Sequence, residues 1–406
     1  MAGARAVLVS PDGALGRFPL PALPGQGPGR YLIEDMPIAV VPLPLLLPAD
    51  RRPVAGADGD AAAAPLLLLG DIDFDGRPAG VQVAQGHAGG HVAVRGNHDL
   101  HFQPLAGTAR EIDAIGALFR QSHAGSTPDV LRGADATEEA FRDHVRGKRY
   151  VHLATHGFFA TPELRTLLGE GAEDDRGAVL DSVASTHPGL LSGLVLAGAN
   201  RGTAAGAEDR PPDDGILTAL EVAELDLNRA DLVVLSACET GLGEVADGEG
   251  LLGLQRAFQV AGARTVVASL WQVEDDATQR LMARYYENLW QEQRSPLDAL
   301  RQAQLALLRE ESEASPARAV GEPERAGGTP AANPRRWAAW VLSGDPGDVA
   351  RLEPAPVPVA AAQPSGQSAT WLLVVGGGYS SALLLGACLA AWQVHRRRFR
   401  RSSAGA

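Results

Sequence analysis

The sequence predicts an α/β fold, a mainly parallel sheet flanked by helices on both faces, followed by one C-terminal transmembrane helix. Three observations carry this. Short apolar runs with no polar alternation recur between helical patterns, as buried parallel strands do. The 406 residues are 45% hydrophobic and 21% charged, an ordinary globular balance with length enough for a core. Near the end, residues 369–394 hold no charged side chain at all.

Taken in order, the strand runs are Leu66–Leu69, Tyr150–Ala154, Gly193–Leu196, Leu232–Ala237 and Thr265–Leu270. Between them Thr108–Phe119 places Ile112, Ile115 and Leu118 at helical spacing. Gly250–Ala261 places Leu251, Leu254, Phe258 and Ala261 on one side, and Gly262 stands where a helix stops. Ala277–Gln293 is the next helix. Ser295, Pro296 and Asp298 supply an N-cap, a proline at N1 and an acid at N3, and they open a helix running to Glu310. The body is residues 1–345, with 49–64 and 311–334 as loose insertions. A Pro/Ala linker covers 346–368, the span 369–394, and a basic tail 395–406.

The span runs WLLVVGGGYSSALLLGACLAAW from Trp371 to Trp392, about the ~20 residues a bilayer needs, with a tryptophan at each border. A buried core helix is the alternative, but a core helix rarely runs so long without a polar face. Gly378, Ala382, Gly386 and Ala390 recur at i+4, a stripe that suits helix self-association in lipid, although chance produces such stripes in a chain rich in Gly and Ala. Direction is a conflict. Five arginines follow the span and would keep the C-terminus on the cytoplasmic side. The N-terminus carries no signal-peptide pattern to export the body. The second argument is weighted above the first, so the expectation is a membrane protein with its body in the cytoplasm. The short tail is also compatible with a processed sorting signal.

Charge excludes one partner class. The chain carries net −13, and without the five tail arginines 31 basic residues face 49 acids. So acidic a body lacks the footprint of a non-specific nucleic-acid binder. Two cysteines, Cys238 and Cys388, exclude a disulfide framework and a cysteine-rich zinc module.

Two strand ends carry the chemistry. In YVHLATHGFF an apolar strand ends in His156 and Gly157; in DLVVLSACETGLG another ends in the body's one cysteine, Cys238, before a glycine-containing loop. In parallel sheets, reactive groups sit at the carboxyl ends of strands. There a thiol and an imidazole can meet as a nucleophile and its base. Gly157 leaves its N–H unobstructed, which suits an oxyanion donor. Each residue alone has a bland reading, a small buried hydrophobe or a structural histidine. His152, in step with Ala154 and His156, is expected to share their face as packing.

The blocks VHLATHGFF, DDGILTALEVAELDLNRADLVVLSACETGLGEV, GEGLLGLQRAFQVAGARTVVASLWQVEDDAT and WAAWVLSGD resemble the CHAT family, caspase-like domains related to caspases and separases. The resemblance starts near Val7 and runs through Asp345. It implies a caspase-type fold and, where active, a cysteine endopeptidase from a bacterial source. His156 would be the base, Cys238 the nucleophile and Gly157 an oxyanion donor. Their separation of 82 residues exceeds the ~50 usual in caspases, and the loops Thr161–Pro188 and Arg201–Asp213 can absorb the excess. The segment Leu270–Asp276 resembles the separase stretch that places an acid in the pocket for a basic side chain before the cleaved bond. Asp275 or Asp276 would serve, the choice staying open; helix capping is the bland reading. Asp247 and Glu249 read as helix-entry acids. Members often carry helical repeats that recognise triggers; none is visible here, so activation by a partner protein is an expectation alongside a protein substrate. The rival is a non-catalytic interaction module.

One motif points elsewhere. GDIDFD from Gly70 and GNHD from Gly96 resemble two blocks of binuclear-metal phosphoesterases. Those enzymes need Asp where Phe74 stands, and the flanking Asp-x-His and Gly-His-x-His blocks are missing. His87, His91, His98 and His101 could still bind a metal adventitiously. No metal, and no cofactor of any kind, is expected.

Overall fold

The apolar runs do become strands whose two faces are both covered. A computed structural model of the protein describes residues 4–11, 15–16, 18–27, 29–42, 65–76, 101–159, 192–201, 213–236, 238–239, 249–271, 273–314, 333–347 and 370–375. The main sheet has nine strands. In chain order they are β1 (Ala4–Ser10), β2 (Ile38–Val40), β3 (Leu66–Ile72), β4 (Asp129–Gly133), β5 (Tyr150–Leu153), β9 (Leu232–Leu235), β11 (Thr265–Ser269), β12 (Trp340–Gly344) and β13 (Thr370–Val375). Their spatial order is β13-β1-β2-β12-β11-β9-β5-β3-β4. Every neighbouring pair is parallel except β11 with β12. The sheet is therefore two parallel blocks running in opposite directions, joined at that one antiparallel seam.

Alternation divides the core into two. Leu66, Leu68, Leu232, Val234 and Val267 face one apolar cluster, while Leu67, Leu69, Val233, Leu235, Val266 and Ala268 face the other. The first is covered by α2 (Ala106–Ser122), α6 (Asp275–Tyr286) and α7 (Pro296–Ala314), which contribute Ile112, Ile115, Phe119, Leu281, Tyr285 and Leu300. The second is covered by α3 (Glu138–Val145), α4 (Ala219–Ala223) and α5 (Glu249–Val260) through Phe141, Val222 and Phe258. Two further helices are single turns, α1 (Leu32–Asp35) and α8 (Pro334–Trp337). Ser295 caps α7 as expected, its hydroxyl accepting from the Asp298 N–H at 3.3 Å. Gly262 has φ +113°, and its missing Cβ leaves room for Asn228 to pack against the end of α5.

Four strands form a second, smaller sheet that the sequence does not predict. Its order is β10-β6-β7-β8, with β6 (His156–Phe159), β7 (Ser192–Val195), β8 (Ile216–Thr218) and β10 (Cys238–Glu239). The run expected at Gly193–Leu196 belongs here and not to the main sheet.

The C-terminal expectation needs correcting at its first residues. Thr370–Val375, expected to begin a transmembrane helix, form β13, parallel to β1 with Val7 opposite Leu372 and Val9 opposite Val374. A segment of Thr, Trp, Leu and Val suits a strand, and β1 otherwise presents an unpaired edge. Among the described residues no helix is long and apolar enough to cross a membrane; residues 376–406, with Gly378, Ala382, Gly386 and Ala390, lie outside them. The insertion expected at 311–334 is shorter than drawn, because α7 continues to Ala314 and α8 begins at Pro334. Residues 49–64 and the loops between Thr161 and Pro188 and from 202 to 212 lie outside the described residues.

Candidate active site

Both chemistry-bearing strands do the same thing: they run in the main sheet, leave it, and re-pair in the small one. On the first, β5 ends at Leu153, and the Ala154 N–H still reaches the Leu69 carbonyl on β3 at 2.7 Å. Thr155 then turns its hydroxyl to the Val195 carbonyl of β7, and β6 begins at His156. On the second, β9 ends at Leu235 and β10 begins at Cys238. The two re-paired strands are parallel neighbours, with Cys238 opposite His156 and Glu239 opposite Gly157. Two residues 82 apart in sequence thus lie side by side, about 4.8 Å apart across one strand spacing.

The step between sheets also overturns one expectation. His152 and His156 do not share a face. His152 is fully buried, with Nδ1 3.0 Å from the Tyr286 hydroxyl and Nε2 3.2 Å from Glu111 Oε1, on the side of α2 and α6. His156 is turned to the other cluster, among Phe74 and Phe102. Period-two alternation holds only while the chain stays in one sheet.

His156 is 4% exposed. Its ring lies 5.1 Å from that of Phe74 and 5.7 Å from that of Phe102. Nε2 is 2.7 Å from the Gln103 carbonyl. A carbonyl only accepts, so Nε2 carries the proton and the neutral ring keeps its lone pair on Nδ1. Burial lowers the pKa of this imidazole below its ordinary value, and the Gln103 carbonyl partly opposes the shift. The ring is therefore a neutral proton acceptor at physiological pH, with one nitrogen already committed.

Gly157 lies in the small sheet between Glu239 of β10 and Leu194 of β7. Asp275 and Asp276 open α6, and they sit differently. Asp276 is 78% exposed at its side chain and lies 3.8 Å from Arg280, one turn on. Asp275 leans over the first turn of α2, its carboxyl group occupying the space a Cβ on Gly107 would need. Glu249 begins α5 as expected; Asp247 lies outside the described residues.

Phe102, Gln103 and Asn200 are not singled out by the sequence, and Phe74 is marked only as the residue that breaks a metal motif. Phe74, the residue that spoils the phosphoesterase motif, forms one wall of the His156 pocket. The motif's Asp73 serves the turn itself, accepting from the Asp75 N–H at 3.1 Å. His101 is 3.7 Å from Asp75; His87, His91 and His98 lie outside the described residues. No group of three His, Cys, Asp or Glu able to hold a metal occurs among the described residues.

A mainly parallel sheet covered on both faces, with Cys238 and His156 on adjacent re-paired strands, defines an α/β protein. The CHAT domain family matches residues 1–345, and the chain belongs to that family. Tetratricopeptide repeat protein 28 of Mus musculus is 29% identical over 160 residues, 39% of this chain and 6% of that protein. The Homo sapiens protein of the same name gives the same figures, so the chain spans only a small part of these relatives. Among solved structures, the Arg-specific cysteine proteinase gingipain R superposes with a TM-score of 0.43 and 11% identity, covering 80% of this chain and 57% of that one.

Proposed function

We propose that this protein is a cysteine endopeptidase in which His156 is the base and Cys238 the nucleophile. The observation that carries the reading is their register pairing on adjacent parallel strands. It is supported by the Nε2–Gln103 bond, which leaves Nδ1 as the acceptor. In this mechanism Nδ1 takes the Cys238 proton and the thiolate attacks the scissile carbonyl carbon. The tetrahedral oxyanion is stabilised by the Gly157 N–H. Collapse expels the amine, which receives the proton from the His156 imidazolium. Water, deprotonated by the same ring, then hydrolyses the thioester and restores the thiol.

The substrate is a protein cut after Arg or Lys. Asp275, which reaches the first turn of α2, is taken as the acid for a basic side chain ahead of Asp276, which faces Arg280 one turn on. A partner protein fits as activator, since the curated relatives are named for tetratricopeptide repeats. The apolar stretch to Trp392 anchors the protein in a membrane with its body in the cytoplasm, and it contains the small-residue stripe for self-association.

The test is labelling of the purified full-length chain with a peptidyl thiol-reactive probe, followed by peptide cleavage. Wild type reacts and cleaves; Cys238→Ala and His156→Ala stay folded and do neither. Cleavage retained in Cys238→Ala refutes the assignment, and a folded wild type that neither labels nor cleaves favours the interaction module.

A further inference from the structure

The turn after β7 reaches the pocket of His156 through one side chain. Residues Ala199–Arg201 form a single 3-10 turn, and the Asn200 amide is clamped on the backbone of Phe102 from both sides. Its Oδ1 accepts from the Phe102 N–H at 2.8 Å, and its Nδ2 donates to the Phe102 carbonyl at 3.0 Å. The backbone N–H of Asn200 donates to the Phe74 carbonyl at 2.9 Å. Three bonds from one residue thus hold the backbones of both aromatics that flank the His156 ring. The residue after Phe102 is Gln103, whose carbonyl accepts from His156 Nε2.

The turn is itself fixed to the sheet that carries His156. The Gly198 N–H donates to the Asp73 carbonyl at 3.2 Å, and β7 pairs with β6, Leu194 opposite Gly157. Gly198 has φ +85°, and Arg201 packs where a Cβ would stand, so the turn closes tightly on Asn200. The strap 101–105 has no strand partner of its own. It is an irregular segment before α2, and such a segment needs its backbone groups satisfied by side chains.

We infer that Asn200 is a positioning residue for His156. By pinning Phe102 it presents the Gln103 carbonyl to Nε2, selects the Nε2–H tautomer, and keeps the Nδ1 lone pair in place as acceptor. The consequence for turnover rests on His156 being the catalytic base; the consequence for the tautomer does not.

The experiment uses the full-length chain in detergent with histidine labelled in nitrogen-15. The His156 signals are assigned by their loss in His156→Gln, and spectra are taken above neutral pH, where the ring is neutral. Wild type shows the Nε2–H tautomer. Asn200→Ala shows a mixture with Nδ1–H, and peptide turnover falls about tenfold to hundredfold in kcat with little change in KM. Asn200→Asp keeps the acceptor for the Phe102 N–H but sets a carboxylate against the Phe102 carbonyl, so it shifts the tautomer as well. It replaces the alanine variant if that does not fold. An Nδ1–H tautomer in wild type, or unchanged Nε2–H in the folded variants, overturns the inference. A wild type inactive toward peptides but showing the tautomer shift leaves it standing and removes only the peptidase reading.

Discussion

Glu138 offers a perturbation whose size can be worked out from contacts. It is 1% exposed at the start of α3. Its Oε1 accepts three backbone N–H groups, from Asp214 at 3.0 Å, Gly215 at 2.9 Å and Ile216 at 3.2 Å. Its Oε2 accepts from Arg142, which also bonds Glu221. The three donors belong to the chain entering β8, the outer strand of the sheet that holds His156 and Cys238. Glu138→Ala strips the acceptor from the Asp214 and Gly215 N–H groups, while the Ile216 N–H keeps Asp214 Oδ1 at 2.9 Å. An orphaned buried donor costs about 1–3 kcal/mol, and Asp214 is half-buried, so water relieves part of the loss. The expected loss from the two donors is about 2–4 kcal/mol. Glu138→Gln keeps an acceptor oxygen of the same reach and should lose only about 1 kcal/mol. Urea unfolding at a common m-value measures both. A Glu138→Ala chain within about 1 kcal/mol of wild type, or a Gln variant as damaged as the Ala variant, would refute the reasoning. There is also a pH signature. Burial, then the nearby carboxylates of Asp214, Glu221 and Asp213, push the Glu138 pKa up to about 7, with Arg142 opposing. The folded value lies above the 4.5 of the free side chain, so this contribution to stability is complete below pH 4.5 and is lost as pH rises through 7. Wild type should therefore lose stability against the Glu138→Gln chain between pH 5 and 8, by at most about 3 kcal/mol. A constant gap would show that the backbone donors hold the group ionised throughout.

Other outcomes are expected. Because burial lowers the pKa of His156, the acid limb of kcat/KM should fall below the ordinary histidine value near 6.5, and Phe74→Ala, which admits water, should move it back up. A limb unchanged in Phe74→Ala would mean that the aromatic wall does not set the base. Asp275→Asn should weaken cleavage after Arg and Lys more than Asp276→Asn does, and Gly107→Ala, which crowds Asp275, should imitate it; a peptide library preferring acidic or apolar residues before the cut would exclude the acid's role. Carbonate extraction should leave the full chain in the membrane fraction, and removal of residues 376–394 should release it. Protease added to intact cells should spare the body, and digestion of the body while a cytoplasmic control survives would reverse the orientation.

How much was legible can be argued from particular residues. Leu66–Leu69, Leu232–Leu235 and Thr265–Ser269 are apolar on both faces, so burial between two helical layers was written in composition alone. Ser295-Pro296 marks the start of α7 because capping is a local transaction between neighbours. His156 and Cys238 could be nominated because each ends such a run. The sequence also determined the family, through blocks that need no coordinates to be compared. Tertiary structure alone decided the rest. That the two strands re-pair in a second sheet, with Cys238 opposite His156, depends on partners 82 residues apart and on β7, which pairs with the other side of β6. That His152 and His156 face opposite clusters follows from a change of sheet at Ala154 and Thr155, which no alternation rule can see. Gln103 carries no motif, because a backbone carbonyl is the same in every residue; the Phe74 ring and the Asn200 amide act only because the fold brings them beside His156 and Phe102. The fate of Thr370–Val375 makes the same point. Thr, Trp, Leu and Val suit either a membrane helix or a strand, and only the unpaired edge of β1 distinguishes them.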